Sequence, residues 1–151
     1  MALLWTKWDL LEGKEKRFAE LKDQIDLKAP FMHHVPMITI SSVARTRLFK
    51  VIELADKLAV AATRRIATGP LNNFLGRIKD EHAPPAFRGN LPKILYMTQV
   101  SVKPTVFVMF VNRTKLFHFS YMRYIENRLR EEYGFDGVPI KIELREGKPD
   151  S

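Results

Sequence analysis

The sequence predicts an α+β fold made of two successive parts, residues 1–65 and residues 66–151. The first part alternates short apolar runs with helical periodicity, whereas the second gives the order helix, strand, strand, helix, strand, a small α+β layer. A chain of 151 residues buries about 68–70% of its unfolded surface, enough for a core without metal or disulfide staples. It has no cysteine, which excludes a disulfide framework, a thiolate zinc site and a cysteine nucleophile.

Two helices and two short strands are predicted in the first part. Phe18, Leu21 and Ile25 are spaced three and four apart and form the thin apolar stripe of a polar helix, which Pro30 stops. After position 45, apolar residues recur at helical spacing for about five turns. The predicted elements are a strand at 2–5, a helix at 12–28, a strand at 35–41 and a helix at 45–62.

The second part opens with Thr68, Gly69 and Pro70, a hydroxyl cap followed by a proline suited to the first turn of a helix. Ser120 is the candidate cap of the second helix. The β-rich runs on either side of Lys103-Pro104 predict neighbouring antiparallel strands. The predicted elements are a helix at 68–81, strands at 92–102 and 105–112, a helix at 120–133 and a strand at 138–144.

Residues 106–111 of the second strand are apolar in both alternating sets. A strand buried on one face should instead alternate between apolar and polar side chains. The pattern predicts either a strand covered on both faces or a face that docks another domain. In the second case we expect only one of Phe107 and Val108 to be buried, and we expect the chain to self-associate, because exposed apolar patches promote association.

Of the features of the composition, the net charge is the one that bears on function. The chain carries 25 Lys and Arg against 17 Asp and Glu, a net charge of +8, without a basic tail, so the charge must act through a folded surface. Such a surface favours polyanionic partners, since scattered cations neutralise phosphates without reading bases. An ordinary solvated face, whose glutamates cancel part of the field, is the alternative. The candidate phosphate contacts are Arg88, Lys93, Lys103, Arg113, Lys115, Arg123 and Arg130.

Two short motifs in the first part could recognise a guanine base. Thr6-Lys7-Trp8-Asp9 follows the first predicted strand, and Ser41-Ser42 ends the next. A carboxylate at a strand end can accept hydrogen bonds from the ring N–H and the exocyclic amine of guanine together, and charge-assisted bidentate pairs are strong and selective. Lys7 could lay its aliphatic stem over the base. A solvated Asp9 at a strand end is the alternative.

Other classes of site find little support. His33 and His34 are adjacent and have no carboxylate cluster near them in sequence, so we expect no metal site. Gly134-x-x-Gly137 runs directly into a strand, which favours a helix cap and a turn over the GXXG loop that clamps nucleotides. No run approaches the ~20 apolar residues of a membrane span, and the amino terminus lacks a signal-peptide core. We expect a cytoplasmic protein that does not contact membranes.

Longer motifs extend these signals over essentially the whole chain. Thr6 to Asp9 and Ser41-Ser42 resemble the fourth and fifth guanine-recognition motifs of translation-factor-type GTPases, although Thr6 stands where Asn is usual. The second part resembles the C-terminal region of the bacterial double-GTPase family Der, also called EngA. The matching segments are Leu71-Asn72, His82-Ala83-Pro84-Pro85, Lys93-Ile94, Thr98 to Pro104, Phe110-Val111-Asn112, His118 to Tyr121, Glu126-Asn127-Arg128, Gly134 to Gly137 and Pro139 to Ile142.

The resemblance implies that residues 1–65 are the end of a second GTPase domain, a partial P-loop α/β remnant, and that residues 66–151 are a KH-like domain. It implies a parent GTPase that acts in assembly of the large ribosomal subunit and binds GTP or GDP and Mg²⁺. No G-x-x-x-x-G-K-[ST] occurs in this chain, so we expect no bound nucleotide and no hydrolysis by this part alone.

The partners that the resemblance implies are ribosomal RNA and the first GTPase domain of the same protein. The chain would then be a module that docks on RNA and on its neighbouring domain. The alternative function is docking between protein surfaces alone, with no direct RNA contact.

Overall fold

The computed structural model describes residues 1–45, 47–87 and 89–147. They form two compact units, one comprising residues 1–61 with 136–138 and the other residues 62–135 with the segment from Pro139 onward.

The first unit is built on a two-stranded parallel sheet. Strand β1 (Leu3–Trp5) leads through helix α1 (Lys14–Lys28) to strand β2 (Met37–Thr39), and helix α2 (Leu48–Ala62) follows. Leu3 pairs with Met37 and Trp5 with Thr39. Because the strands are parallel, the segments that follow them, the motif at residues 6–9 and the serines at 41–42, leave from the same edge of the sheet.

The second unit has the predicted order of helix, strand, strand, helix, strand and a three-stranded sheet, which confirms the predicted α+β fold. Its elements are α3 (Thr68–Glu81), β3 (Ile94–Ser101), β4 (Thr105–Val111), α4 (Phe119–Tyr133) and β5 (Ile140–Glu146). The central strand β4 is antiparallel to β3 and parallel to β5. Single turns of 3₁₀ helix occur at Trp8–Leu10, Pro30–Met32 and Thr114–Leu116.

The core of this unit lies against one face of the sheet, which we call the inner face. Helix α3 packs against β3 and helix α4 against β5. On β4, Phe107 makes an edge-to-face contact with Phe135, the ring centroids lying 6.0 Å apart. The fully buried side chains from the sheet and the helices include Leu71, Leu75, Ile78, Met97, Phe107, Met109, Ile125 and Leu129.

The middle of strand β4 is covered on both faces. Phe107 points to the inner face, and Val108, on the opposite outer face, lies in register between Thr98 of β3 and Glu143 of β5. Neither side chain has any exposed surface. Of the two alternatives, coverage of both faces is therefore the one observed at these positions, because a central strand has neighbouring side chains on both sides. The expectation from the other alternative, that only one of the two would be buried, is wrong.

Both predicted serine and threonine caps are wrong by one or two positions. Helix α3 begins at Thr68, with Ala67 at its cap position and no side-chain cap bond. Helix α4 is capped by His118, whose Nδ1 accepts a hydrogen bond from the Ser120 N–H at 3.3 Å. The imidazole provides the acceptor that a hydroxyl was expected to provide.

Two amide side chains at β3 satisfy backbone groups, one of them on the strand itself and the other on the segment before α3. Asn72 of α3 accepts from the Met97 N–H (2.9 Å) and donates to the Met97 carbonyl (3.1 Å). Gln99 accepts from the Ile66 N–H (2.7 Å) and donates to the Arg64 carbonyl (3.0 Å). Since the outer edge of β3 has no neighbouring strand in the described sheet, the two bonds of Asn72 replace part of a missing ladder. The bonds of Gln99 instead attach the segment before α3 to this strand.

Gly134 and Gly137 have the roles expected of a helix cap and a turn. Gly134 ends α4 with φ 64° and donates its N–H to the Arg130 carbonyl at 2.8 Å. Gly137 has φ 69° and lies so close to Met1 that a Cβ atom would stand 2.6 Å from the Met1 carbonyl oxygen. Only glycine fits such a position.

Candidate functional site

The parallel pairing of β1 and β2 brings Asp9 and Ser41 into contact. The Trp8 N–H donates to the Ile40 carbonyl at 3.2 Å, which joins the two loops. The Ser41 hydroxyl donates to Asp9 Oδ1, and the Ala44 N–H donates to Ser41 Oγ at 3.1 Å. The carboxylate is thus held in one orientation at the edge of the sheet.

Hydrogen bonding favours the charged form of Asp9. The Ser41 hydroxyl, then the backbone N–H of Asp9 itself and more weakly the nearby Lys14 charge, lower the pKa of the Asp9 carboxyl. Each carboxylate oxygen can accept two hydrogen bonds, so the bond from Ser41 leaves acceptor sites for a ligand. Asp9 and Ser41 also line a cavity of about 680 Å³.

The other predicted base-recognition residues lie beside this pair. Thr6, Lys7 and Ser42 are exposed. Lys7 adopts left-handed backbone angles, φ 55° and ψ 33°. The structure therefore joins two members of the predicted set directly and leaves three side chains at the surface.

In the second unit, three predicted phosphate contacts lie at one end of the sheet. Lys93 precedes β3, Arg113 follows β4, and Lys115 is in the turn after it; all three are exposed. We call these three residues the cation cluster.

Asn112 holds the segments of the cation cluster together. Its side-chain oxygen accepts from the N–H groups of Lys93 and Arg113, both at 2.9 Å. Its amide nitrogen donates to the Leu91 carbonyl at 3.0 Å, and its own N–H donates to the Lys93 carbonyl at 3.0 Å. Asn112 is part of the motifs that carry the resemblance, but the sequence analysis gave it no role. A sequence feature that points to a role is the position of an amide side chain directly after a buried strand.

One acidic group lies at the edge of the cation cluster. Glu146 accepts from the backbone N–H (3.1 Å) and hydroxyl (3.3 Å) of Thr114. The ion pairs of the described part of this unit engage other cations, namely Arg77, Arg128, Arg130, Lys141 and Arg145.

The remaining predicted phosphate contacts are scattered. Lys103, in the turn between β3 and β4, and Arg123, on α4, are both exposed but are not part of the cation cluster. Arg88 lies outside the described residues.

Arg130 requires a correction. Its side chain is buried, Nη1 donates to the Phe135 carbonyl at 2.8 Å, and Nη2 donates to Glu126 at 2.7 Å. Spacing seven residues from Arg123 suggested a shared exposed face, but the chain turns at Gly134 and places Phe135 against the guanidinium. Arg130 is therefore a structural residue and not a phosphate contact.

A small aromatic cluster lies where the loop after α3 meets α4. The Tyr121 hydroxyl donates to the His82 carbonyl at 3.0 Å, and the two rings stack with centroids 6.0 Å apart. Burial, and more weakly the nearby Tyr124, raises the pKa of Tyr121 to about 12. These contacts fix the loop at residues 82–85.

Within residues 1–45, 47–87 and 89–147, no three His, Asp or Glu side chains converge as metal ligands would. No helix in the same ranges has the length and apolar character to cross a membrane.

Comparison with known proteins identifies the second unit. Residues 65–145 match the family model described as the KH-domain-like C-terminal region of EngA bacterial GTPase enzymes. The chain is 43% identical over 144 residues to GTPase Der of Heliobacterium modesticaldum, covering 95% of this chain and 33% of that protein. It is 46% identical over 142 residues to GTPase Der of Lachnospira eligens, covering 94% of this chain and 32% of that protein.

This chain spans about a third of the length of these curated relatives. The match covers more than half of its residues and includes the whole described α-β-β-α layer with most of β5. The chain belongs to the family of KH-like C-terminal regions of EngA bacterial GTPases.

Proposed function

We propose that this chain is the RNA-docking region of a Der-type GTPase that acts in assembly of the large ribosomal subunit in the cytoplasm. The cation cluster is the main evidence for this function. Lys93, Arg113 and Lys115 are exposed at one end of the sheet, and Asn112 fixes the backbones of Lys93 and Arg113. Contacts of this kind position a protein on a phosphate backbone without reading sequence.

The charge of the whole chain supports a polyanionic partner. A net charge of +8 steers association with RNA at low ionic strength. Phosphate contacts also release counterions, so the affinity falls linearly on a log–log scale as salt is added. This salt dependence is the measurable signature of the proposed function.

Co-sedimentation with bacterial large ribosomal subunits across a range of salt concentrations tests it. We expect the chain to pellet with the subunits at low salt. In a variant combining Lys93→Gln, Arg113→Gln and Lys115→Gln, we expect the dependence of affinity on salt to become shallower. The negative slope of log affinity against log salt concentration should decrease in magnitude by about 0.7–0.9 for each cation removed.

A charge-matched control separates local contacts from net charge. Lys16, Lys22 and Lys28 on α1 are exposed, and their combined replacement by Gln lowers the net charge equally. We expect a much smaller loss of slope in this control. Equal losses in the two variants, or no binding by the unsubstituted chain, would contradict the proposal.

Binding and hydrolysis of GTP belong, in our proposal, to the longer parent protein and require Mg²⁺ there. Asp9 and Ser41 would contact the guanine base, beside Thr6, Lys7 and Ser42. The chain has no G-x-x-x-x-G-K-[ST] motif, and therefore lacks the backbone cradle and lysine that hold phosphates. Phosphate release from GTP by this chain at the rate of an intact GTPase would contradict this assignment.

A second candidate role, docking on another protein surface, is favoured by helix α2. Phe49, Ile52 and Val60 lie on one stripe of this helix and are largely exposed, Phe49 by 81%. A stripe of this kind favours a protein partner, such as the other GTPase domain that the resemblance implies, or a second copy of this chain.

A further inference from the structure

The outer face of the three-stranded sheet carries a stacked pair of aromatic rings, of which Tyr96 is exposed and Phe110 is half-buried. Tyr96 of β3 and Phe110 of β4 are in register, and their rings stack with centroids 4.4 Å apart and planes inclined by 17°. Tyr96 is 44% exposed. Because β3 is an edge strand, the ring of Tyr96 forms the outer end of this stack.

Cations lie on the same face. In the parallel pairing of β4 with β5, Phe110 is opposite Arg145 and Val106 is opposite Lys141. Tyr96, Phe110 and Arg145 therefore form one row across the three strands. Lys141 lies about 13 Å from Arg145 along β5, given the rise of about 3.3 Å per strand residue.

The charges of the outer face favour an anionic occupant. Glu143, between the two cations, pairs with Lys141 at 2.7 Å and with Arg145 at 3.6 Å. One carboxylate thus balances two cations, and both cations are more than half exposed. An aromatic surface bordered by cations fits single-stranded nucleic acid, in which bases stack on rings and phosphates meet basic side chains.

We infer that an unpaired RNA base stacks on Tyr96 and extends the Tyr96–Phe110 pair, while Arg145 and Lys141, on the far strand of the same face, contact phosphates further along the same RNA strand. This inference rests on the proposed RNA-docking function and adds a base-binding position to the phosphate contacts of the cation cluster. Stacking tolerates any base, since every base has a π face. It requires that the base be unpaired.

Fluorescence anisotropy with the full chain and a fluorescein-labelled 12-nucleotide oligoadenylate tests the inference. We expect Tyr96→Ala to weaken binding about fivefold to 140-fold, the range for loss of one stacked base. Tyr96→Phe should bind as the unsubstituted chain does. An RNA duplex of the same length should bind Tyr96→Ala and the unsubstituted chain equally.

Two further variants distinguish stacking from other causes. Phe119→Ala removes another exposed aromatic ring, at the first residue of α4, and should leave the affinity unchanged. Tyr96→Leu keeps an apolar side chain without a π face and should be as weak as Tyr96→Ala. It also replaces Tyr96→Ala in the comparison if thermal unfolding shows that the alanine variant does not fold.

Each contrary outcome has a distinct meaning. If Tyr96→Ala and Tyr96→Leu bind the oligonucleotide as tightly as the unsubstituted chain, while the cation-cluster variant does not, the stacking inference fails and the proposed function stands. If Tyr96→Leu alone restores binding, the face makes apolar contacts and the inference also fails. If neither the unsubstituted chain nor any variant binds RNA, both the inference and the proposed function fail.

Discussion

Ser41 orients the Asp9 carboxylate and favours its charged form. The sequence predicted both residues as members of one site, because each stands at the end of a predicted strand and the two motifs together could recognise one guanine base. The direct bond from the Ser41 hydroxyl to Asp9 Oδ1 could not be predicted, since it depends on the turn geometry of both loops. Ala44, whose N–H holds the Ser41 hydroxyl at 3.1 Å, was not expected to take part.

A pKa measurement tests this bond. In Ser41→Ala we expect the pKa of Asp9 to rise towards its ordinary value, because the largest cause of its lowering is removed. A carboxyl whose pKa is lowered by folding stabilises the folded state at any pH above its ordinary pKa. That stabilisation is lost as the pH falls through the lowered pKa of the folded state. Ser41→Ala should therefore lose less stability on acidification. Carboxyl-carbon NMR titration measures the pKa directly.

Ser42→Ala is the matched control, since Ser42 is exposed and is not the donor to Asp9. An Asp9 pKa that is the same in Ser41→Ala and in the unsubstituted chain would show that Ser41 does not control the carboxylate.

At the scale of elements, hydrophobic periodicity predicted each main helix and strand, and the structure moves their ends by only one to three residues. The shifts have local causes. Helix α1 begins at Lys14, after Gly13 with φ 62°, rather than at residue 12. Helix α4 begins at Phe119 because His118 provides the cap. Caps and turns depend on individual hydrogen bonds, which periodicity does not report.

The protected edge of β3 was beyond prediction for the same reason. Asn72 was visible only as part of a motif, and nothing in its spacing showed that it would face Met97, 25 positions later in the chain. The contact requires α3 to pack beside β3, a tertiary arrangement that local sequence does not encode.

Replacement of Asn72 by alanine should destabilise the second unit by about 1–3 kcal/mol, because the N–H and carbonyl of Met97 lose their partners. Denaturant unfolding measures the change, and hydrogen exchange should show faster exchange at the Met97 amide. Asn73→Ala, at an exposed neighbouring position on the same helix, should change the free energy of unfolding by less than about 0.5 kcal/mol. Equal effects of the two substitutions would refute the edge-protection role.

Helix α2 exposes apolar side chains outside the stripe that packs within its own unit. This exposed apolar surface makes the helix a candidate site for association between copies of the chain. Phe49→Glu, at a side chain that is 81% exposed, should reduce concentration-dependent self-association without unfolding the chain, since the carboxylate stays in water. Sedimentation velocity over a range of protein concentrations measures this.

Val108→Glu is the contrasting variant: Val108 has no exposed surface, and a buried carboxylate should unfold the second unit. A monomeric unsubstituted chain at all concentrations would contradict the prediction.

At the scale of the whole molecule, we propose a domain boundary between residues 61 and 66. The sequence suggested a second domain from residue 66. The structure adds that Arg64 and Ile66 both bond the buried amide of Gln99. A fragment that begins at 66 would lose the Arg64 carbonyl and leave the Gln99 Nε2 group with a weaker partner.

Fragments 62–151 and 66–151 should both unfold cooperatively, and the longer one should be more stable by about 1–2 kcal/mol, the cost of removing a partner from a buried amide. Urea unfolding followed by circular dichroism compares them. A shorter fragment of equal or greater stability would show that the Gln99 contacts do not define the boundary, and a non-cooperative transition in both would refute an independent second domain.

We propose that the second unit docks on RNA through its cation cluster. Backbone amide chemical shifts, mapped in the full chain during titration with a single-stranded segment of large-subunit ribosomal RNA, test this docking. We predict that the largest shifts occur at residues 91–93 and 112–116, and that they diminish as salt is added. Shifts confined to α2, or a complete absence of shifts at low salt, would contradict the claim.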